Sequence, residues 1–223
     1  MQTGLSFNQT KVFFLIVYVS GYFGARCLSI VVEQPQLHLF PDFLVGLFQI
    51  GPMTFYGGFL CAGLLGTLYL CTLKMNVLKV LDIVIVGCFL ALGIGRIGCF
   101  LNGDDFGKVI SAGQPFWGVS FPVLKDGEFG IIRYPVQIME TIFVWGFVGW
   151  FLLKRPLFQP GRVFFFGLVY YGVGRVFLEM YRGDNRGWVL ASSISTSQFI
   201  SFFVTLGGII GFLWLLQTRE QRR

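Results

Sequence analysis

The sequence predicts an all-α integral membrane protein, a polytopic bundle of about six transmembrane helices with residues 1–223 forming a single domain. Three observations carry that expectation. Apolar residues make up 55% of the 223-residue chain, 27 of them Phe, and mean hydropathy is +0.72. Charged residues amount to only 13%, about half of the ~25% found in a typical water-soluble domain. The apolar residues also fall in runs close to the ~20 residues that a spanning helix requires. The same numbers exclude disorder and coiled coil, and the glycines have no collagen-like period.

The runs follow in order. Lys11–Val32 opens the series. Leu37–Ile50 is apolar but short and holds Pro41 and Asp42, so it is expected to be a re-entrant or interfacial segment. Phe55–Leu73, Val80–Leu101, Val136–Leu153, Val163–Met180 and Thr196–Leu216 complete the six spans. Helix is the expected form throughout, because in lipid every backbone polar group must be satisfied within the segment or a closed barrel. A longer loop, about 102–135, separates the third and fourth spans and is expected to cover part of a site. MQTGLSFNQTK shows no charged n-region followed by a cleavage site, so no removable signal peptide is expected.

Charge orients the spans. One side of a six-span arrangement holds Lys11, Lys74, Lys79, Lys154, Arg155, Arg162, Arg219, Arg222 and Arg223; the other holds Lys108, Lys125, Arg133, Arg182 and Arg186. The positive-inside rule then makes both termini cytoplasmic and turns the 102–135 loop outward. The net charge of +6 forms no stripe, so nucleic acid is excluded as a partner and attraction to anionic lipid is expected. Five cysteines (Cys27, Cys61, Cys71, Cys88, Cys99) show no metal-ligand spacing and read mostly as small buried hydrophobes. No metal or cofactor is expected.

Three arginines remain, and they lie within or at the outer ends of spans: Arg26, Arg96 and Arg175. A charge at mid-bilayer costs ~2.5–3.5 kcal/mol even on the mildest scale, which makes such residues functional candidates. Arg26 is near enough to an interface to snorkel. Arg96 lies in GIGRIGCFLNGDDFG (Gly93–Gly107) with Asn102, Asp104 and Asp105. A glycine-rich helix interface accounts for the glycines there but not for the polar residues. Arginine suits bidentate binding of phosphate, so a phosphate-bearing substrate at the outer leaflet is the functional reading. In YYGVGRVFLEMYRGD, Tyr171, Arg175 and Glu179 recur at i, i+4 and i+8 on one helix face, with Arg182 continuing the row; a purely structural Arg–Glu pair is the alternative. In YPVQIME, Gln137 and Glu140 share one face of the first helical turn after Pro135, where the helix dipole favours an acid. Tyr56 in TFYGG opens the second span and equally suits an interfacial aromatic belt.

In combination these motifs resemble the bacterial prolipoprotein diacylglyceryl transferase family. GRIGCFLNGDDFG matches the family's Gly-Arg-x-Gly-Asn-Phe-x-Asn-Gly-Glu run, Tyr134–Glu140 its His-Pro-x-Gln-x-x-Glu run, and Tyr171–Arg182 its Tyr-Gly-x-x-Arg-x-x-x-Glu run. ISTSQ (Ile194–Gln198), Gly24-Ala25-Arg26 and Tyr56-Gly57-Gly58 also find counterparts, in the family's order. The departures are Tyr56 and Tyr134 at family His positions, Cys99 at an Asn and Asp104 at a Glu. The similarity begins after the family's usual first span, implying six helices rather than seven.

The resemblance implies transfer of diacylglyceryl from phosphatidylglycerol to the cysteine thiol of a prolipoprotein signal-peptide region, at the outer side of the bacterial cytoplasmic membrane. Arg96 and Arg175 would then hold the phosphate, with Asp104 and Tyr56 as further catalytic candidates. Asn102, Cys99, Gly98, Gln137, Glu140, Tyr171, Glu179, Arg182, Arg26 and Gln198 would line the substrate. A thiol of pKa about 8.5 must lose its proton. The only His, His38, lies outside the motifs. Asp104 is one candidate base, and the field of the arginines on the thiol is another route. Rival readings are a related transferase with another acceptor or head group, and a non-enzymatic phospholipid-binding protein. Transport has no support from an inverted repeat.

Overall fold

The computed structural model describes residues 4–33, 41–49, 51, 53–110, 117–121, 131–154, 159–183, 188–189 and 194–220. Among these residues run seven helices, α1 (Phe7–Glu33), α2 (Asp42–Phe48), α3 (Phe55–Thr72), α4 (Val77–Asn102), α5 (Val136–Lys154), α6 (Arg162–Glu179) and α7 (Thr196–Glu220). Two short antiparallel pairs join β1 (Val119–Ser120) to β2 (Ile132–Arg133) and β3 (Trp188–Val189) to β4 (Ile194–Ser195). The protein is an all-α, multi-pass membrane protein. All six expected runs are helical, and four stretches, Phe7–Val31, Val77–Asn102, Val136–Lys154 and Ser197–Thr218, are long and apolar enough to cross a membrane. The helices α3 and α6 have 18 residues each, about 27 Å at 1.5 Å per residue. The polar load of Arg162, Arg175 and Glu179 sets α6 apart from the four.

Helix ends follow from local chemistry. Ser6 and Gln9 form a reciprocal capping box, Ser6 N–H donating to Gln9 Oε1 at 2.8 Å and Gln9 N–H to Ser6 Oγ at 3.3 Å, which starts α1 before the expected Lys11. The expected Leu37–Ile50 segment contains α2, which begins directly after Pro41; His38 lies outside the described residues.

The chain divides into two compact units. In Gln2–Val77, α1 packs along α3 through small residues. A Cβ on Gly24 would lie 2.5 Å from the Gly57 carbonyl, and one on Gly58 would lie 2.8 Å from that of Gly21. Backbones this close are the usual solution for helix pairs in lipid, so the glycines of the Gly24-Ala25-Arg26 and Tyr56-Gly57-Gly58 motifs serve packing. Thr54 N–H donates to the Ala25 carbonyl just ahead of α3.

In Leu78–Arg223 the core joins Ile85, Val86 and Phe89 of α4 to Val144, Phe147, Val148 and Phe151 of α5 and Val163 of α6. Thr141 Oγ1 donates to the Gly93 carbonyl at 3.2 Å, tying α5 to α4. The α6–α7 seam uses small residues again, Gly172 lying against Thr205 and Gly208 against Val169. Asp82 of α4 is fully buried and accepts from the backbone N–H groups of Gly161 and Phe164, both at 2.7 Å. It supplies the cap that α6 lacks, since Gly161 at the N-cap has φ 91° and no side chain.

Candidate active site

The site grows from three helix ends within the second unit. α4 closes in a Schellman motif: Gly103 N–H donates to the Phe100 carbonyl, Asp104 N–H to that of Cys99, and Gly103 takes φ 69°. Asp105 follows, also left-handed at φ 58°, a conformation Asp tolerates better than most residues. The chain then knits two other loops together. Gly107 N–H donates to the Tyr134 carbonyl, Lys108 N–H to that of Tyr181, and Gly183 N–H to that of Phe106. A Cβ on Gly183 would lie 2.6 Å from the Gly107 carbonyl, so only glycine allows this approach. The segments after α4, before α5 and after α6 are thereby held side by side. Arg133 pins the same junction, with Nη1 donating to the Gly107 carbonyl at 3.3 Å and its guanidinium 4.4 Å from the Phe106 ring.

Six charged side chains alternate in sign through this junction. Arg182 Nη2 lies 3.3 Å from Asp105 Oδ1, and Asp105 Oδ2 lies 2.5 Å from Arg96 Nη1. Arg96 Nε lies 2.8 Å from Glu140 Oε2, which lies 3.8 Å from Arg175 Nη1. Arg175 Nη2 in turn lies 3.1 Å from Glu179 Oε2 and donates to Ser197 Oγ at 3.4 Å. Tyr171 donates to Glu140 Oε1 at 3.5 Å. Glu140 has 0% side-chain exposure and Asp105 has 24%, so the row runs from the protein interior toward its edge. Three guanidiniums face three carboxylates at ion-pair distances. Once a carboxylate at its exposed edge gives way, such a row can receive an anion, and its guanidiniums can stabilise charge that grows on it.

Comparison with known proteins identifies the family. The family described as prolipoprotein diacylglyceryl transferase matches residues 2–214 of the chain. The chain belongs to the prolipoprotein diacylglyceryl transferase family. Among similar proteins, the phosphatidylglycerol–prolipoprotein diacylglyceryl transferase 2 of Clostridium perfringens is 34% identical over 215 residues, covering 93% of this chain and 80% of the relative. The phosphatidylglycerol–prolipoprotein diacylglyceryl transferase of Clostridium tetani is 36% identical over 210 residues (92% and 81%). That of Streptococcus uberis is 26% identical over 217 residues (94% and 79%).

Within this family frame the expected site residues separate into groups. Arg96, Arg175, Glu140, Glu179, Tyr171 and Arg182 meet in the charged row. Gln137 and Asn102 join its border: Gln137 Nε2 donates to the Asp104 carbonyl at 2.6 Å, and Asn102 Nδ2 donates to the Asp104 carboxylate. The carboxylate that bridges Arg96 to Arg182 is that of Asp105, next to the catalytic candidate Asp104. The left-handed turn after Gly103 rotates that side chain inward. Glu140 is the fifth residue of α5, beyond the first turn, so guanidiniums rather than the helix dipole compensate its charge. Arg182 does not extend the α6 row on the helix; it lies past the helix end in an extended bridge with Gly107.

The remaining expectations divide differently. Cys99 is a half-buried free thiol on the last turns of α4. A Cβ on Gly98 would meet nothing within 4 Å among the described residues, whereas Gly93 is packed against the Trp145 indole. Gln198 is a helix cap: Ser195 N–H donates to its Oε1 and its own N–H donates to Ser195 Oγ, both at 3.1 Å. Tyr134 stacks edge-on with Trp117 and Tyr181, ring centroids 5.5 and 5.3 Å away. The backbone of Tyr56 lies in the first turn of α3, and its side chain is outside the described residues. In the first unit Arg26 does not snorkel. It is 1% exposed, its Nε donates to the Gly46 carbonyl of α2 at 2.8 Å, and a Cβ on Gly51 would lie 2.6 Å from Nη1.

Asp105 is the functional candidate that sequence reasoning left without a role. Its signal was present, since Asp is one of the few residues suited to a left-handed position beyond a Gly-terminated helix.

Proposed function

We propose that the protein transfers a diacylglyceryl group from phosphatidylglycerol to the thiol of a prolipoprotein lipobox cysteine, releasing glycerol phosphate. The buried alternation of guanidiniums and carboxylates centred on Glu140 carries this reading, set in the family to which the chain belongs. The substrates are those in the names of its relatives. The thiolate sulfur attacks the terminal glyceryl carbon, the carbon–oxygen bond to phosphorus breaks, and its electron pair leaves with the phosphate. Arg96 and Arg175 receive that growing charge, and Glu140 and Glu179 keep their forks aimed. The thiol proton passes to Asp104 while the arginine field lowers the thiol pKa. Asn102, Gly98, Cys99, Gln137, Tyr171 and Arg182 line the head-group side; much of the 102–135 loop expected to cover it lies outside the described residues. The protein resides in the bacterial cytoplasmic membrane with both termini cytoplasmic and the site outward.

The deciding experiment incubates purified protein with phosphatidylglycerol vesicles and a lipobox peptide, and seeks a diacylglyceryl adduct on the cysteine by mass spectrometry. An adduct with stoichiometric glycerol phosphate is expected. An unmodified peptide alongside bound lipid would turn the reading toward non-enzymatic binding. For the orientation, a Thr218→Cys variant should resist impermeant thiol reagents in intact cells, and labelling from outside would reverse the topology.

A further inference from the structure

We infer that the Asp105 carboxylate is an internal anion occupying the place of the head-group phosphate, and that its return expels the phosphate product. The inference rests on reading the charged row as a phosphate site. Its two oxygens reach two different guanidiniums, Oδ2 to Arg96 Nη1 at 2.5 Å and Oδ1 to Arg182 Nη2 at 3.3 Å. Two non-bridging oxygens of a phosphate would make the same pair of charge-assisted contacts, and Arg96 is the guanidinium that this place shares with the Arg96–Arg175 pair that takes up the leaving charge.

Three properties single out Asp105 among the carboxylates of the row. Its side chain is 24% exposed, against 0% for Glu140 and 11% for Glu179, so an anion arriving from the edge meets it first. It stands on non-helical backbone between the end of α4 and the Gly107–Arg182 bridge, whereas Glu140 and Glu179 are carried by helices. Its side chain is short, so rotation about its χ angles withdraws the charge without moving the backbone that the bridge fixes. With Asp105 in place, the row among the described residues pairs three guanidiniums with three carboxylates. With Asp105 withdrawn the row gains one unit of positive charge, the change that matches the single negative charge of a phosphodiester. After transfer the phosphate is a monoester that carries up to two negative charges, and without a competitor it would be held more tightly than the substrate. Asp105 supplies the competitor, favouring release.

The test uses Asp105→Asn, which keeps shape and suits a left-handed φ, and Asp105→Gly, which suits it equally. Equilibrium dialysis of the detergent-solubilised full chain measures glycerol phosphate and inorganic phosphate, with glycerol as the neutral control. Both variants should bind the two phosphates about tenfold more tightly than wild type, from removal of one partly exposed negative charge beside the anion. Glycerol affinity should not change, and adding Arg182→Gln should abolish the gain. In the transfer assay KM for phosphatidylglycerol and kcat should both fall, with stronger inhibition by added glycerol phosphate. Equal or weaker phosphate binding in folded Asp105→Asn and Asp105→Gly would overturn the inference, whatever the turnover. Tighter binding with no transfer by the wild type would instead leave the anion site standing and remove the transferase reading.

Discussion

Replacing Glu140 with Gln tests the centre of the charged row most directly. The substitution preserves shape and one hydrogen-bond acceptor while removing a charge that has 0% side-chain exposure. That charge lies 2.8 Å from Arg96 Nε and 3.8 Å from Arg175 Nη1, so one change strands parts of two buried cations. Breaking a buried ion pair by deleting one partner typically costs ~3–5 kcal/mol. The two losses do not simply add, because Asp105 still faces Arg96 and Glu179 still faces Arg175. We therefore expect about 3–5 kcal/mol in total, a fall of roughly 6–20 °C in Tm for a chain of this length. Thermal unfolding of the detergent-solubilised protein, followed by tryptophan fluorescence, reads this shift. The double variant Glu140→Gln/Arg175→Gln should recover at least ~1 kcal/mol relative to the sum of the two single changes, because the orphaned cation is gone. A Glu140→Gln protein melting within about 2 °C of wild type, or strictly additive single changes, would show that Glu140 is not the shared counter-charge.

Three further outcomes follow from the same geometry. Arg96→Lys and Arg175→Lys should each lose ~10²–10³ in turnover while the protein still inserts and binds lipid, since one ammonium cannot span the two carboxylates that each fork reaches; near-normal turnover in both would remove the phosphate clamp. Asp82→Asn should lower stability by about 1–3 kcal/mol through loss of charge at the α6 N-terminus, read as a Tm shift, and an unchanged Tm would show that the cap is dispensable. Arg26→Ala should lower activity without abolishing it and speed hydrogen exchange across α2, whose Gly46 carbonyl it holds; a loss equal to that of Arg96→Ala would place Arg26 in the chemistry.

Much of the architecture was legible along the chain because its causes are local. Long apolar runs make helices in any arrangement that keeps them from water, and all six expected runs are helical. The capping boxes Ser6–Gln9 and Ser195–Gln198 span four residues each and are local, yet the apolar runs set the expected start of the first span at Lys11, past the first box. Arg96, Arg175, Glu140 and Glu179 stood out because charge in an apolar helix is expensive wherever it lies.

Tertiary structure decided which charge meets which. Glu140 serves two arginines from two other helices, and no spacing within α5 encodes that. Asp104 and Asp105 are chemically alike and adjacent, and only the left-handed turn after Gly103, together with the pairing of Gly107 against Arg182, selects Asp105 as the bridge. Asp82 caps Gly161 and Phe164 from 79 and 82 residues away. Arg26 could reach an interface by sequence position alone, yet the fold of α2 over it leaves it buried. Hydropathy is a property of each residue and survives in the linear order. Electrostatic pairing falls off within a few ångströms, so it exists only once the chain has brought distant residues to that distance.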